Sequence, residues 1–219
     1  MTAEFEHYQQ SPEMLERLHD VPLIAVIGPS KAGKTTLMEY AREQMPELHF
    51  VVSDTSRSPR ENETEGVHYY FNDPVTMYER ARAGAYATVA PSITGDLYAT
   101  SPDEYDQYGR PIMAVLASAI PAFRRVFPSM CTIFVLPPSL AALAERGEDR
   151  NKQAARRAEA RESLTFAVND PQTWFVVNDD LAAAKTEFLQ LIQGDIPPHT
   201  EARQRQPKRL AQQLLDHLV

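Results

Sequence analysis

The sequence predicts an α/β fold, a parallel core sheet flanked by helices, on three observations. The apolar run 23–27 (Leu-Ile-Ala-Val-Ile) is of strand length and passes through a glycine-rich turn into a helix-forming segment. The runs 112–116 and 132–136 are continuously apolar, as strands buried on both faces are. Helix-forming segments separate the strand-like runs, and that alternation builds parallel sheets.

Residues 1–20 are acidic and polar and form an extension ahead of the first core strand, with a short helix beginning near Pro12. A helix over 36–45 stops near Pro46, which cannot continue it. Residues 50–53 form a second short strand, followed by a polar loop holding Pro59, Arg60 and Glu63. Residues 67–71 (Val-His-Tyr-Tyr-Phe) are β-prone. Asp73-Pro74 supplies the cap and first-turn chemistry of a helix over 73–84. Residues 139–168, rich in Ala, Arg and Glu, are helical, and 174–177 make the last core strand. Leu181 opens a helix to about Gln193, where Gly194 ends it. Residues 195–219 are a proline-bearing linker and an amphipathic tail with Leu210, Leu214, Leu215 and Leu218.

Composition narrows the function. A chain of 219 residues with 43% hydrophobic content buries one sizeable core, with a small lid attached. A net charge of −8 argues against a general nucleic-acid or membrane-surface binder. Cys131 sits inside the apolar run 130–136 and reads as a buried strand residue, so neither a disulfide nor a cysteine metal site is available. Residues 1–6 show neither a basic nor an apolar leader region, and no apolar run approaches about 18 residues. A soluble, cytoplasmic protein with no membrane partner is expected.

Gly28-Pro29-Ser30-Lys31-Ala32-Gly33-Lys34-Thr35-Thr36 follows the first strand and opens the next helix, the context a phosphate-binding loop requires. Its glycines let the backbone curl so that successive N–H groups meet phosphate oxygens, and the new helix adds its N-terminal dipole. Gly28, Ser30, Ala32, Gly33, Lys34, Thr35 and Thr36 are the candidate phosphate-binding residues. Lys34 reaches the β- and γ-phosphates, and Thr35 holds Mg²⁺ through its hydroxyl. A nucleoside triphosphate site with Mg²⁺ as cofactor is predicted.

Ser53-Asp54-Thr55-Ser56-Arg57-Ser58-Pro59-Arg60, then Glu63, then Gly66-Val67-His68-Tyr69-Tyr70-Phe71, resembles the acceptor-binding segment of the guanylate kinase family. Other pieces resemble that family in the same order. They are Gly95-Asp96-Leu97-Tyr98-Ala99-Thr100, Phe127-Pro128, residues 136–140 (Leu-Pro-Pro-Ser-Leu), Arg146-Gly147 with Arg157 eleven residues on, and 177–181 (Val-Asn-Asp-Asp-Leu). The resemblance spans about residues 22–193 and implies a P-loop kinase fold with an acceptor-binding subdomain and a lid. It also implies transfer of the γ-phosphoryl of ATP, the phosphoryl donor, onto GMP with Mg²⁺. The acceptor-binding residues it implies are Ser53, Asp54, Arg57, Arg60, Glu63, Tyr69, Tyr98 and Thr100; the catalytic ones are Lys34, Arg146 and Arg157. The residue chemistry agrees. Arg57 and Arg60, three apart in a polar loop, can fork onto one phosphate, and Tyr69 and Tyr98 add hydroxyl donors. Arg146 and Arg157 are cations of the kind that phosphoryl transfer needs around the γ-phosphate.

The pattern breaks at the base. Guanylate kinases carry acids on the central strand where this chain has Ala114 and Leu116, and no Asp or Glu lies between Asp106 and Glu145. A further family glutamate, which accepts from the N–H edge of guanine, maps near Thr88, and no carboxylate lies between Glu79 and Asp96. A site without that acceptor pair discriminates poorly for guanine. Asp54 is a candidate replacement, set against an ordinary turn Asp.

Three readings follow. One is a nucleoside monophosphate kinase acting on GMP, dGMP or a different or modified base. The second is a sugar phosphate kinase of the ribose 1,5-bisphosphate type. The third is a non-catalytic module that binds a phosphorylated ligand. The intact Lys34-Thr35 pair sets the third below the first. The expected organisation is an extension over 1–20, a guanylate kinase-like domain over 21–194, and a C-terminal extension over 195–219. Within the domain, the acceptor-binding subdomain spans about 53–104 and the lid about 140–165. Nucleotides are the expected partners. The opposite charges of the two extensions predict that they pair, within one chain or across a homodimer.

Overall fold

A computed structural model describes residues 2–5, 8–91, 95–139, 141–142, 153–194 and 201–218. A 3-10 turn Thr2–Phe5 leads into α1 (Pro12–Leu18), β1 (Ile24–Ile27), α2 (Lys34–Gln44), β2 (Leu48–Phe50), β3 (Asp54–Thr55) and β4 (Tyr70–Phe71). There follow α3 (Pro74–Arg82), β5 (Thr88–Pro91), β6 (Leu97–Thr100), α4 (Asp103–Asp106), β7 (Arg110–Ala114), a 3-10 turn Ala117–Ala119 and α5 (Ile120–Val126). The chain finishes with β8 (Cys131–Leu136), α6 (Gln153–Asn169), β9 (Thr173–Val177), α7 (Leu181–Gln193) and α8 (Glu201–Asp216). It divides into two compact units: Met1–Leu23, His49–Pro111 and Ala122–Met130 form one, and Ile24–Leu48, Ile112–Pro121 and Cys131–Val219 the other.

The second unit is built on the parallel sheet. The five-stranded sheet has the order β2-β7-β1-β8-β9, with β1 at its centre, parallel to β7 and to β8, and with β8 parallel to β9. Every residue of β1 is buried, as are Ile133, Phe134, Val135 and Leu136 of β8. Continuous apolar strands are what a sheet covered on both faces demands. The helices α2 and α7 pack together, and α8 lies on α6 and β9, burying Ala211 and Leu214. Asp180 caps α7 by accepting from the N–H of Ala183 at 2.8 Å.

The first unit carries a four-stranded sheet, β4-β3-β6-β5, in which β3 runs parallel to β4 and antiparallel to β6. Asp73 caps α3 by accepting from the N–H groups of Val75 and Thr76, with Pro74 in the first turn. Met77 and Ala81 of α3 bury against Tyr86, Leu97 and Ala99, and Phe5 joins this cluster. Glu4 pairs with Arg82 at 2.7 Å, and Arg17 with Asp103 and Asp106 at 2.6 Å each.

Four expectations shift. The strand expected over 50–53 is instead β2, Leu48–Phe50, because Val52 gives its N–H to the Glu104 carboxylate at 2.9 Å and not to a ladder. Of the β-prone 67–71, only Tyr70 and Phe71 form β4, since the N–H groups of Val67 and His68 turn back to the Thr64 carbonyl. Asp54 stands in a strand, not a turn. Cys131 is half-buried as the first residue of β8, not sunk in the core. Of the helix and lid expected over 139–168, residues 140 and 143–152 lie outside the described residues, and α6 begins at Gln153.

Candidate functional site

Of the seven phosphate-binding candidates, Ser30, Gly33, Lys34, Thr35 and Thr36 line one cavity of about 630 Å³ in the second unit, and Gly28 and Ala32 are not in its lining. The loop leaves the sheet at Gly28, whose φ is 135°; a Cβ there would stand 2.5 Å from the carbonyl oxygen of Val135 on β8. It enters α2 at Gly33, φ 101°, where a Cβ would collide with the side-chain amide of Asn178. Gly28 therefore disfavours a side chain by conformation and by space, and Gly33 by conformation and by a contact that Asn178 can relieve by moving. Ala32 is fully buried, its N–H donating to the Pro29 carbonyl and its own carbonyl accepting from Asn178 Nδ2 at 2.8 Å. Gly28 and Pro29 hold Lys34: its Nζ donates to their carbonyl oxygens at 2.7 and 2.9 Å. Burial pushes the Lys34 ammonium below its ordinary pKa, and the negative charge of Glu159 partly opposes that. Thr35 and Thr36 are exposed at the mouth of the cavity.

Among the described residues, no group of three or more His, Cys, Asp or Glu side chains forms a metal cage. Magnesium in phosphoryl-transfer sites needs none, because it takes one or two protein oxygens plus the substrate's phosphates. The Thr35 hydroxyl and the Glu159 and Asp179 carboxylates on the same cavity wall fit that demand.

The acceptor candidates lie in the first unit, most of them in two linked groups. Arg57 reaches Glu63 with both arms, Nη1 to Oε2 and Nη2 to Oε1, each at 2.6 Å, while its Nε donates to the Tyr98 hydroxyl at 3.0 Å. The same guanidinium lies 5.0 Å from the centre of the Tyr69 ring and 5.7 Å from that of Phe71. Tyr69 and Tyr98 meet edge-on at 5.6 Å. Burial raises the Tyr69 phenol above its ordinary pKa. Arg60 is exposed, and its N–H donates to Glu63 at 2.8 Å. Glu63 is thus held by both arginine positions, and the Arg57 hydrogen bonds pull its carboxyl down to about 2. Ser53 and Thr100 form the second group, their hydroxyls 2.8 Å apart.

Asp54 is placed differently. Its carboxylate, almost wholly buried, accepts from Asn72 Nδ2 at 2.6 Å and faces Arg80 at 3.3 Å. Burial raises its pKa, and Arg80 only partly offsets that. Arg157 is exposed on α6, and Arg146 lies outside the described residues. The positions of the missing acids are filled plainly: Ala114 is exposed at the end of β7, Leu116 is 64% exposed, and the Thr88 hydroxyl lies 3.3 Å from that of Tyr105.

Two residues of these clusters escaped sequence reasoning. Asn178 braces the loop across 146 positions of sequence; its run Val-Asn-Asp-Asp was noticed, but not its contact. Glu104 was not singled out in the sequence. In the fold it is buried, accepting from the Val52 N–H and lying 2.9 Å from His49 Nε2 and 3.2 Å from the Tyr70 hydroxyl.

Comparison with known proteins places the chain in a family. The guanylate kinase family model matches residues 21–194. The guanylate kinase of Symbiobacterium thermophilum is 34% identical over 186 residues, covering 79% of this chain and 85% of its own. That of Synechococcus sp. (strain CC9902) is 35% identical over 188 residues, covering 82% and 99%. The crystal structure of guanylate kinase from Anaplasma phagocytophilum shares the fold, with a TM-score of 0.57 at 21% identity over 84% of this chain and 89% of that one. This chain belongs to the guanylate kinase family.

Proposed function

We propose that the protein is an ATP-dependent nucleoside monophosphate kinase whose acceptor is GMP. The observation that carries this reading is the intact loop, with Lys34 at its centre and Gly28 and Gly33 at positive φ that L side chains rarely adopt. What supports GMP is the match of four-fifths of the chain to relatives named guanylate kinase at 34–35% identity.

An oxygen of the acceptor's phosphate attacks the γ-phosphorus of ATP. The new P–O bond forms as the bond from the γ-phosphorus to the β-phosphate bridging oxygen breaks, and ADP leaves. Loop N–H groups and Lys34 bear the charge of the β- and γ-phosphates, and Arg157 and Arg146 add to it from the lid, about 140–165. Mg²⁺, taken through Thr35, supplies charge neutralisation between the β- and γ-phosphates when bound. Arg57, Arg60, Tyr69 and Tyr98 bind the acceptor's phosphate, and Ser53 and Thr100 complete the acceptor site within about 53–104. We assign the protein to the cytoplasm; no helix among the described residues is long and apolar enough to cross a membrane.

The test is Mg-ATP turnover against GMP, dGMP, AMP, CMP, UMP, ribose 1,5-bisphosphate and an acceptor-free control. GMP is expected to lead, by a narrower margin than a site with base-reading carboxylates gives. Failure to phosphorylate any nucleoside monophosphate, with ATP still bound, overturns the reading. Arg60→Ala is expected to raise the KM for GMP while leaving that for ATP in place; equal loss of both refutes the assignment of sides.

A further inference from the structure

The segment ahead of residue 21 lies outside the family match, yet it is tied to the sheet that carries the acceptor candidates. The turn Thr2–Phe5 packs on β5, the edge strand of that sheet. Phe5 is 4% exposed and stacks on Tyr78, ring centres 5.9 Å apart. The Tyr8 hydroxyl donates to the Tyr86 carbonyl at 2.8 Å, and Gln10 Nε2 donates to the Ala87 carbonyl, also at 2.8 Å. These are consecutive carbonyls just before β5. At the entry to β5 these two side chains supply the donors.

The connection runs on to the acceptor residues. The N–H of Ala87, whose carbonyl Gln10 holds, donates to the Thr100 carbonyl at 2.8 Å. Thr100 in turn meets Ser53 through its hydroxyl at 2.8 Å. Thr88, the next residue, stands opposite Thr100 in the β5–β6 register, near where the resemblance to the family maps a base-reading glutamate. Gln10 is therefore linked to the Ser53–Thr100 pair through Ala87, whose carbonyl it holds and whose N–H holds Thr100. Tyr8 fixes the peptide before it, and the Tyr86 ring packs on Arg80, the cation that faces Asp54 of β3.

We propose that Tyr8 and Gln10 are positioning residues for the acceptor nucleotide: they hold the 86–87 backbone, and through it Thr88 and Thr100, at the setting that binds the base end of the acceptor. The proposal rests on the reading that this sheet binds a nucleoside monophosphate. It makes the N-terminal extension part of substrate recognition although it touches no substrate.

Tyr8→Phe and Gln10→Leu in the full chain each remove one donor and little volume. Each is expected to raise the KM for GMP by about three- to tenfold, the worth of one hydrogen bond, with kcat and the KM for ATP within about twofold. Amide hydrogen exchange at Ala87 and along β5 is expected to quicken while β1 and β8 keep their protection. Unchanged exchange at Ala87 overturns the proposal, as does an unchanged KM for GMP or an equal rise in both KM values. If the unmutated protein phosphorylates no nucleoside monophosphate, the functional reading has failed. An active parent with indifferent variants means that the proposal alone has failed. Tyr8→Phe, the gentler change, decides the matter if Gln10→Leu does not fold.

Discussion

Arg57 and Glu63 face each other in a two-pronged pair, both nitrogens of the guanidinium fork 2.6 Å from separate carboxylate oxygens. The pair fixes the Arg57 rotamer, which on the proposed reading of this loop sets the arginine in place before an acceptor phosphate binds. Glu63→Gln is expected to raise the KM for GMP about tenfold, the scale of a misplaced binding group, with the KM for ATP unchanged. The pH dependence has a definite sign. The Glu63 carboxyl titrates at about 2, below its ordinary 4.5. Its contribution to stability is therefore complete above 4.5 and lost as pH falls through about 2. The Tm difference between the parent and Glu63→Gln should be level above 4.5 and shrink below it. A difference that grows on acidification contradicts the pairing.

Lys34 should separate activity from stability. Lys34→Met is expected to lower kcat by a factor on the order of 10²–10³, as loss of a charge-stabilising donor does. Its folded pKa lies below 10.5, so the stabilisation linked to it is present only above 10.5 and is lost as pH falls through the folded value. At neutral pH the ammonium is a buried charge that costs stability. The unliganded variant should then melt no lower than the parent by scanning fluorimetry; a marked drop would show that the bonds to the Gly28 and Pro29 carbonyls outweigh desolvation.

Gly28 and Gly33 are not equally replaceable. A Cβ at Gly28 meets the Val135 carbonyl of the sheet itself, whereas one at Gly33 meets the end of the Asn178 side chain, which can rotate. Gly28→Ala is expected to cost about 3 kcal/mol and Gly33→Ala about 1–2 kcal/mol, strain at positive φ included. Urea unfolding gives both values, and the reverse order would mean that Asn178 is the more rigid obstacle.

Glu104 should behave as a structural acid. Glu104→Ala leaves the buried Val52 N–H without its acceptor and is expected to cost about 3 kcal/mol, while Glu104→Gln, which keeps an oxygen there, costs about 1 kcal/mol. Equal losses in chemical denaturation would assign the effect to charge and not to the hydrogen bond.

The parts legible from sequence are those whose chemistry is local. The loop declares itself because two glycines, a lysine and a threonine act within nine positions, and Asp73 caps its helix from one residue away. The parallel sheet follows from unbroken apolar runs. The Arg57–Glu63 fork was missed although both residues were singled out, because two arginines in a loop look ready for a phosphate until a nearby carboxylate is given coordinates. Glu104 and Asn178 were beyond reach for a different reason. Their partners lie 52 and 146 residues away, and nothing in a polar segment says which acid will turn inward. The strand expected over 50–53 failed through the same residue, since Glu104 takes the N–H that a ladder would have used.

The two carbonyls that hold Lys34 set terms of entry for an anion. The loop is finished before its ligand arrives, its one buried positive charge already resting on its own backbone dipoles. Binding is therefore an exchange: an incoming oxyanion gains only the difference between its own attraction and two hydrogen bonds that must be surrendered. A weakly attracting monoanion such as chloride cannot offset that loss, while a polyphosphate carrying several charges and many oxygens can. On the proposed reading, the stowed lysine acts as a threshold that favours a triphosphate over small anions.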